Sequence, residues 1–377
     1  MNIININKFI KNSKLETPFL VIDLSLVSRS YNNLKKFFPK SRIYYAVKAN
    51  PSIEILNCLK NEGSYFDVSS KNEIKLCLSQ SINPAYLSFG NTIKKEKDIL
   101  WAHKKGIKLF AFDSIEELNK IENNAKNSKV FCRLQVPNQG ANWPLSKKFG
   151  CSVSMAKELM LEASKKKLIP VGLSFHVGSQ QVNINRWIES LKICFEVYSF
   201  LKDKNIFIDF INIGGGVPVN YDDFNFNLKS FSTKLNESIK NIFGSSPINI
   251  ILEPGRSIVA EAGIIESEVI LVSKKHDNDN KRWVYLDIGR FGGLAETESE
   301  AIRYKISPVN NNSKCSPVNI AGPSCDGADI IYEKYNYELP NNLKSGDKVR
   351  IYSAGAYTSV YVSDFNGLQR LKEYFIK

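Results

Sequence analysis

Between residues 42 and 254 the chain alternates between two hydrophobic periods. Short runs rich in β-branched and aromatic residues, at 43–47, 65–68, 86–89, 108–112, 130–136, 171–177, 207–213 and 248–252, have the character of strands. Stretches with apolar residues at helical spacing separate them, as at 71–79, 115–125, 155–167 and 184–204. Ser114 and Glu117 predict a capping box at the start of one helix, each side chain bonding the other's free backbone N–H. About eight strands alternating with helices in ~210 residues is what a closed (β/α)8 barrel requires. The competing reading, a doubly wound open sheet, would put a Gly-rich turn after the first strand, and none stands there.

Beyond about Arg256 helical periodicity largely stops. Strand-like runs at 264–273, 282–287, 318–321 and 349–353 are joined by turns rich in Gly, Pro and Asn. The pattern therefore predicts an α/β chain: a barrel over residues 25–260 and a mainly-β domain over 261–377, with residues 1–24 packing on the latter.

Most unusual polar residues of the first region fall just past a predicted strand. Lys48, Ser69, Asn91, Asp113, His176, Ser179, Gly214-Gly215-Gly216, Glu253 and Arg256 all do so. In a parallel barrel the strand C-termini open on one face, so these groups converge there. Taken singly, each has a plain explanation: a solvated lysine, a satisfied core histidine, a turn, a salt-bridged loop. Their joint occurrence at successive strand ends points to an enzyme. A glycine run exposes backbone N–H groups to a phosphate. A lysine in the same mouth can condense with an aldehyde cofactor. Glu253 can keep a pyridine nitrogen protonated, and His176 offers a flat face to a ring. These are the parts of a pyridoxal phosphate site.

Composition narrows the picture. The 377 residues are 43% hydrophobic, with no apolar run long enough for a membrane span. The polar, Asn- and Lys-rich first residues lack the apolar core of a secretory signal, so a cytoplasmic location is expected. Seven scattered cysteines without Cys-x-x-Cys suggest neither disulfides nor a structural metal. The net charge of +13 is spread along the chain rather than gathered in a basic tract, which speaks against nucleic acid.

The motifs, in order, resemble a known family. Tyr45-Ala-Val-Lys-Ala-Asn50, Phe66-Asp-Val-Ser-Ser-Lys-Asn-Glu73, Ser174-Phe-His-Val-Gly-Ser179, Ile213-Gly-Gly-Gly216, Glu253-Pro-Gly-Arg256, Gly322-Pro-Ser-Cys-Asp-Gly327 and Gly355-Ala-Tyr-Thr358 are similar to those of the alanine-racemase-like pyridoxal phosphate enzymes, in their decarboxylase branch. The resemblance implies that Lys48 holds pyridoxal 5'-phosphate, and that Gly214, Gly215 and Gly216 bind its phosphate with help from Ser179, Arg256 and Tyr357. Glu253 pairs with the ring nitrogen, His176 stacks on the ring, and Asp67, partnered by Arg133, lies near Lys48. It further implies a homodimer with shared sites, in which Cys325 and Asp326 serve the neighbouring subunit and Lys148 with Asp329 links the chains.

The branch can be narrowed by the same resemblance. Diaminopimelate enzymes usually carry Cys-Glu where this chain has Cys325-Asp326, and an acid here suits a substrate with a distal ammonium. The segment from Phe291 to Tyr304 resembles the substrate-length element of ornithine and lysine decarboxylases, with Glu300 at the position contacting the distal amine and Glu296 and Glu298 beside it. Asn142-Trp-Pro-Leu145 before Lys148 resembles the shorter bacterial members. The expected substrate is a basic L-amino acid, ornithine first and lysine second. Intact Lys48, Cys325 and Asp326 argue against a catalytically dead regulatory homologue, and the Cys-Asp element argues against a racemase.

Overall fold

The computed structural model describes residues 3–143, 148–221, 225–246, 248–309 and 313–377. The chain divides into two compact units, residues 28–218 with 226–257, and residues 1–27 with 219–225 and 258–377.

The first unit is a closed parallel barrel of eight strands, β1 (Ser41–Ala46), β2 (Tyr65–Val68), β3 (Leu87–Phe89), β4 (Leu109–Phe112), β5 (Lys129–Arg133), β6 (Ile169–Ser174), β7 (Phe210–Asn212) and β8 (Asn249–Leu252), with β8 pairing back onto β1. Helices such as Lys71–Ser79, Ile115–Asn124, Val153–Lys165 and Asn185–Asp203 lie between them. The strands are buried on both faces, the reason they read as continuous apolar runs rather than alternating ones. Tyr44, Ala111, Phe131, Val171, Phe210 and Ile251 form a cluster contributed by six strands. Phe131 meets Phe210 edge-on at 5.7 Å, and Gly172, paired to both in register, leaves room for the Phe210 ring.

Two local expectations are corrected. Ser114 accepts the N–H of Glu117 at 3.2 Å, but the Glu117 carboxylate turns away to Lys94 and Lys120, so only half the capping box forms. The sixth strand ends at Ser174, and Phe175 to Val177 belong to the loop that follows.

In the second unit a sheet runs in the order Ile306–Pro308, Lys348–Ile351, Gly263–Ser273, Arg282–Leu286, Cys315–Ala321, Ile330–Pro340. The strand Phe19–Asp23 joins it, antiparallel to Gly263–Ser273 and parallel to Lys372–Ile376. The helix Ile4–Asn12 packs Ile6 and Ile10 against Phe19, Val21 and Ile264. Among the described residues no helix is long and apolar enough to cross a membrane.

Gly172 yields the first prediction. A Cβ there would sit 2.4 Å from the Phe210 ring. Gly172→Ala should cost about 1–3 kcal/mol by overpacking, read as a lowered thermal midpoint. Pairing it with Phe210→Leu should recover part of that loss, and no recovery would place the strain elsewhere.

Candidate active site

The first barrel strand delivers Lys48. After Ala46 the chain makes one tight turn, Val47–Ala49, anchored because the Ala46 N–H donates to Pro254 O at 3.0 Å and the Tyr45 hydroxyl donates to Asn50 O at 2.8 Å. Lys48 Nζ lies 3.6 Å from Asp67 Oδ2 on β2. The Lys48 side chain is half exposed while Asp67 is buried. Burial raises the Asp67 pKa, outweighing the attraction of Lys48 and Arg133.

Glu253 follows β8. Its Oε1 accepts the Asn212 amide at 2.5 Å, and Asn212 Oδ1 accepts the Gly214 N–H at 2.9 Å. One asparagine at the end of β7 thus fixes both the carboxylate and the start of the glycine turn. Burial, then repulsion from Asp67, pushes the Glu253 pKa to about 7 against the pull of Lys48, Asn212 and Arg133. His176 is partly buried, and its Nδ1 accepts the Gly178 N–H at 3.0 Å. Burial, with Arg133 and Lys48 nearby, holds its pKa well below the usual value, so the ring is neutral with its proton on Nε2.

The glycine turn is too tight for side chains. Gly214 and Gly216 take φ of +67° and +86°, and Cβ atoms at 214, 215 and 216 would fall 2.5 Å from Phe175 O, 2.5 Å from Glu253 O and 2.2 Å from Gly178 O. Beside it the buried Arg256 donates from Nε to Ser179 Oγ at 3.1 Å. Arg133, at the end of β5, lies over the Phe149 ring at 4.8 Å. Burial lowers its pKa, opposed by Glu253, Asp113 and Asp67. Asp113 accepts the Gly150 N–H at 2.8 Å and so ties the loop carrying Phe149 and Lys148 to the end of β4.

These parts fit pyridoxal 5'-phosphate. The glycine cradle and Arg256 suit a phosphate dianion. Glu253 suits a basic ring nitrogen, the neutral imidazole a ring face, and Lys48 an aldehyde.

The remaining expected residues stand in the second unit. Cys325 and Asp326 are exposed. The Cys325 N–H donates to Asn366 Oδ1 at 3.0 Å, Asn366 Nδ2 donates to the Cys325 sulfur at 3.3 Å, and Asp326 Oδ1 accepts the Ala328 N–H at 2.8 Å. Asp329 is buried and accepts N–H groups of Arg290 and Ser324, at 2.7 and 3.0 Å. Tyr357 has φ +56°, a strained value for an aromatic residue, and stacks on Tyr361. Glu300 has partners other than those its motif suggested: its carboxylate accepts the backbone N–H groups of Glu333, Lys334 and Tyr335 at 2.7, 2.6 and 2.7 Å. Burial opposes its ionisation, but these bonds and Arg303 prevail and hold its pKa below the usual range. Glu298 pairs with Arg290 at 2.7 Å, and Glu296 is buried. Pro144 and Leu145 of the Asn142 motif lie outside the described residues.

Sequence reading missed Asn212 and Phe149. Asn212 was detectable as a polar residue closing a strand directly before the glycine run; Phe149 looked like an ordinary loop aromatic.

The Glu253 environment predicts a pH effect. In cofactor-free protein its pKa is raised, so between the ordinary 4.5 and about 7 the folded state holds a proton the unfolded state has lost. That contribution to stability is present at low pH and is lost as pH rises through about 7. Calorimetry should show wild type losing Tm relative to Glu253→Gln between about pH 5 and 7.5. A gap independent of pH would contradict the assignment.

Comparison with known proteins agrees with this geometry. Residues 24–260 match the family model described as the pyridoxal-binding domain of pyridoxal-dependent decarboxylases. The chain is 30% identical to the lysine/ornithine decarboxylase of Selenomonas ruminantium, over 94% of this chain and 88% of that one. It is 32% identical to the diaminopimelate decarboxylase of Helicobacter pylori, over 95% and 90%. The crystal structure of the Vibrio vulnificus lysine/ornithine decarboxylase complexed with cadaverine superposes with a TM-score of 0.89 at 29% identity, covering 100% of this chain and 98% of that one. The chain therefore belongs to the pyridoxal-dependent decarboxylase family, an amino-acid decarboxylase whose cofactor is pyridoxal 5'-phosphate.

Proposed function

We propose that this decarboxylase acts on L-ornithine, yielding putrescine and CO2 for polyamine biosynthesis, with L-lysine as a slower substrate. The observation that carries the reading is the exposed Asp326 carboxylate next to Cys325, a fixed negative charge suited to a distal ammonium. A terminal ammonium in a desolvated pocket needs such a partner, because an unpaired buried charge costs several kcal/mol.

Bound pyridoxal 5'-phosphate supplies an electron sink for the pair left on the α-carbon when CO2 departs. Lys48 would hold it through its side-chain amine. Asp67 keeps the Lys48 nitrogen cationic and in place across their 3.6 Å separation. Glu253, oriented by Asn212, holds a proton on the ring nitrogen. His176 supports one ring face. The backbone N–H groups of Gly214, Gly215 and Gly216, with Ser179, Arg256 and Tyr357, hold the phosphate. Cys325 gives the proton that closes the α-carbon, and Asp326 orients the distal amine. Glu300 holds the substrate-length segment through the backbone at 333–335. Cys325 and Asp326 act across a homodimer interface, with Lys148 and Asp329 as a further link between the chains.

The shared site is tested by complementation. Lys48→Ala and Cys325→Ala should each be nearly inactive, the former also without the absorbance of bound cofactor. Random re-pairing of the two should restore up to about a quarter of wild-type activity, because one mixed dimer carries one intact site. Demonstrated subunit exchange without recovery would exclude it.

Substrate choice is tested by competition. One methylene is discriminated by only ~1–3 kcal/mol, so ornithine should lead and lysine still react. Asp326→Ala should lower kcat/KM by ~10²-fold for both, through loss of a charge-assisted contact. An unchanged value would remove Asp326 from the amine site.

A further inference from the structure

The barrel unit contains a buried cation that the proposed chemistry does not use. The Lys94 side chain has no solvent exposure. Its ammonium lies 2.9 Å from Glu117 Oε1 and donates to the carbonyls of Asn91 and Ala111 at 2.7 and 2.6 Å, above the Phe89 ring at 5.5 Å. A fully desolvated lysine is costly unless it is paired and hydrogen-bonded, and here one carboxylate and two carbonyls surround the ammonium. Those acceptors belong to three successive pieces of the barrel: the loop after β3, the end of β4, and the helix Ile115–Asn124. Lys120 closes the knot, pairing with Glu117 and donating to Lys94 O at 2.5 Å.

The loop so tied forms one wall of the Asp67 site. The Gly90 N–H donates to Val68 O at 3.1 Å, and the Asn91 amide donates to Ser69 O at 3.3 Å, so both bond the two residues that follow Asp67. A Cβ on Gly90 would stand 2.0 Å from Asp67 Oδ1, so the backbone itself presses on the carboxylate. We propose that Lys94 is a positioning residue for the Asp67–Lys48 pair, pinning the Gly90–Asn91 backbone against the Asp67 carboxylate. The inference rests on the role given above to Lys48 and Asp67. The other charged groups facing the pair are Arg133, Glu253 and Glu73.

The test separates positioning from stability. Lys94→Met alone leaves the buried Glu117 carboxylate to Lys120, so Lys94→Met/Glu117→Met is made beside it, because replacing both members of a buried ion pair by apolar groups is often close to neutral. Holoenzyme of each variant is titrated by absorbance of the bound cofactor, and kcat and KM are measured separately. A looser Asp67 stabilises the cationic lysine nitrogen less. The absorbance midpoint should therefore move down by on the order of half a pH unit or more, and kcat should fall about tenfold with little change in KM. Asn91→Ala, which removes only the bond to Ser69 O, should move the midpoint the same way by less. A double variant with wild-type midpoint and kcat overturns the proposal. Loss of the cofactor absorbance in Lys48→Ala with no midpoint shift in the Lys94 variants would leave the Lys48 role standing while removing this one.

Discussion

Two carboxylates, the buried Asp67 and the partly buried Glu253, share one barrel mouth, and each raises the energy of ionising the other. Neither could stay charged there unaided. Lys48 and Arg133 supply the positive charge, Asn212 supplies an amide, and together they set which protons remain at neutral pH. Burial, with the same cations beside it, keeps His176 neutral, which leaves its ring an uncharged surface. The mouth is therefore an electrostatic balance more than an arrangement of independent ligands. Its parts have to be rigid, because the energy of opposed charges in a medium of low dielectric changes steeply with distance. The backbone knots around it, at Asn212, at Asp113 and Gly150, and at Lys94, supply that rigidity.

Much of this was legible in the chain. Parallel strands covered on both sides write themselves as unbroken apolar runs, and the residues breaking those runs are the ones that reach the mouth. Boundaries were less legible. Phe175 and Val177 are as apolar as the strand before them, yet the chain leaves the barrel at Ser174, and only tertiary pairing marks where. The strand Ile330–Pro340 was missed because Glu333, Lys334, Asn336 and Glu338 interrupt its apolar pattern. Two of its buried positions are tyrosines: the Tyr332 hydroxyl donates to Ile302 O, and the Tyr337 hydroxyl donates to Tyr304 O.

The acids at 296–300 show a different limit. From sequence, three glutamates in a row of alternating positions look like a group of candidates for one amine. In the fold they part company: one is buried, one pairs with Arg290, and one caps the backbone at 333–335. A carboxylate attracts a backbone N–H as readily as an ammonium, and residue type alone carries no information about which it will meet. Glu117 makes the same point, since its spacing from Ser114 suited a cap and its burial gave it to Lys94 instead.

The strand Phe19–Asp23 is hydrogen-bonded on one side to Gly263–Ser273 and on the other to Lys372–Ile376, while the barrel is threaded between them in sequence. During synthesis the chain emerges in order, so this strand is made before both its neighbours and stays without either until more than two hundred residues have followed. The barrel's own pairings, each between strands close in sequence except the closing one, are all available before that. Assembly on the ribosome is thereby ordered: the barrel unit can close before the sheet is complete. Until then five consecutive buried positions, Phe19 to Asp23, present open strand edges, and the growing chain must keep them from pairing elsewhere.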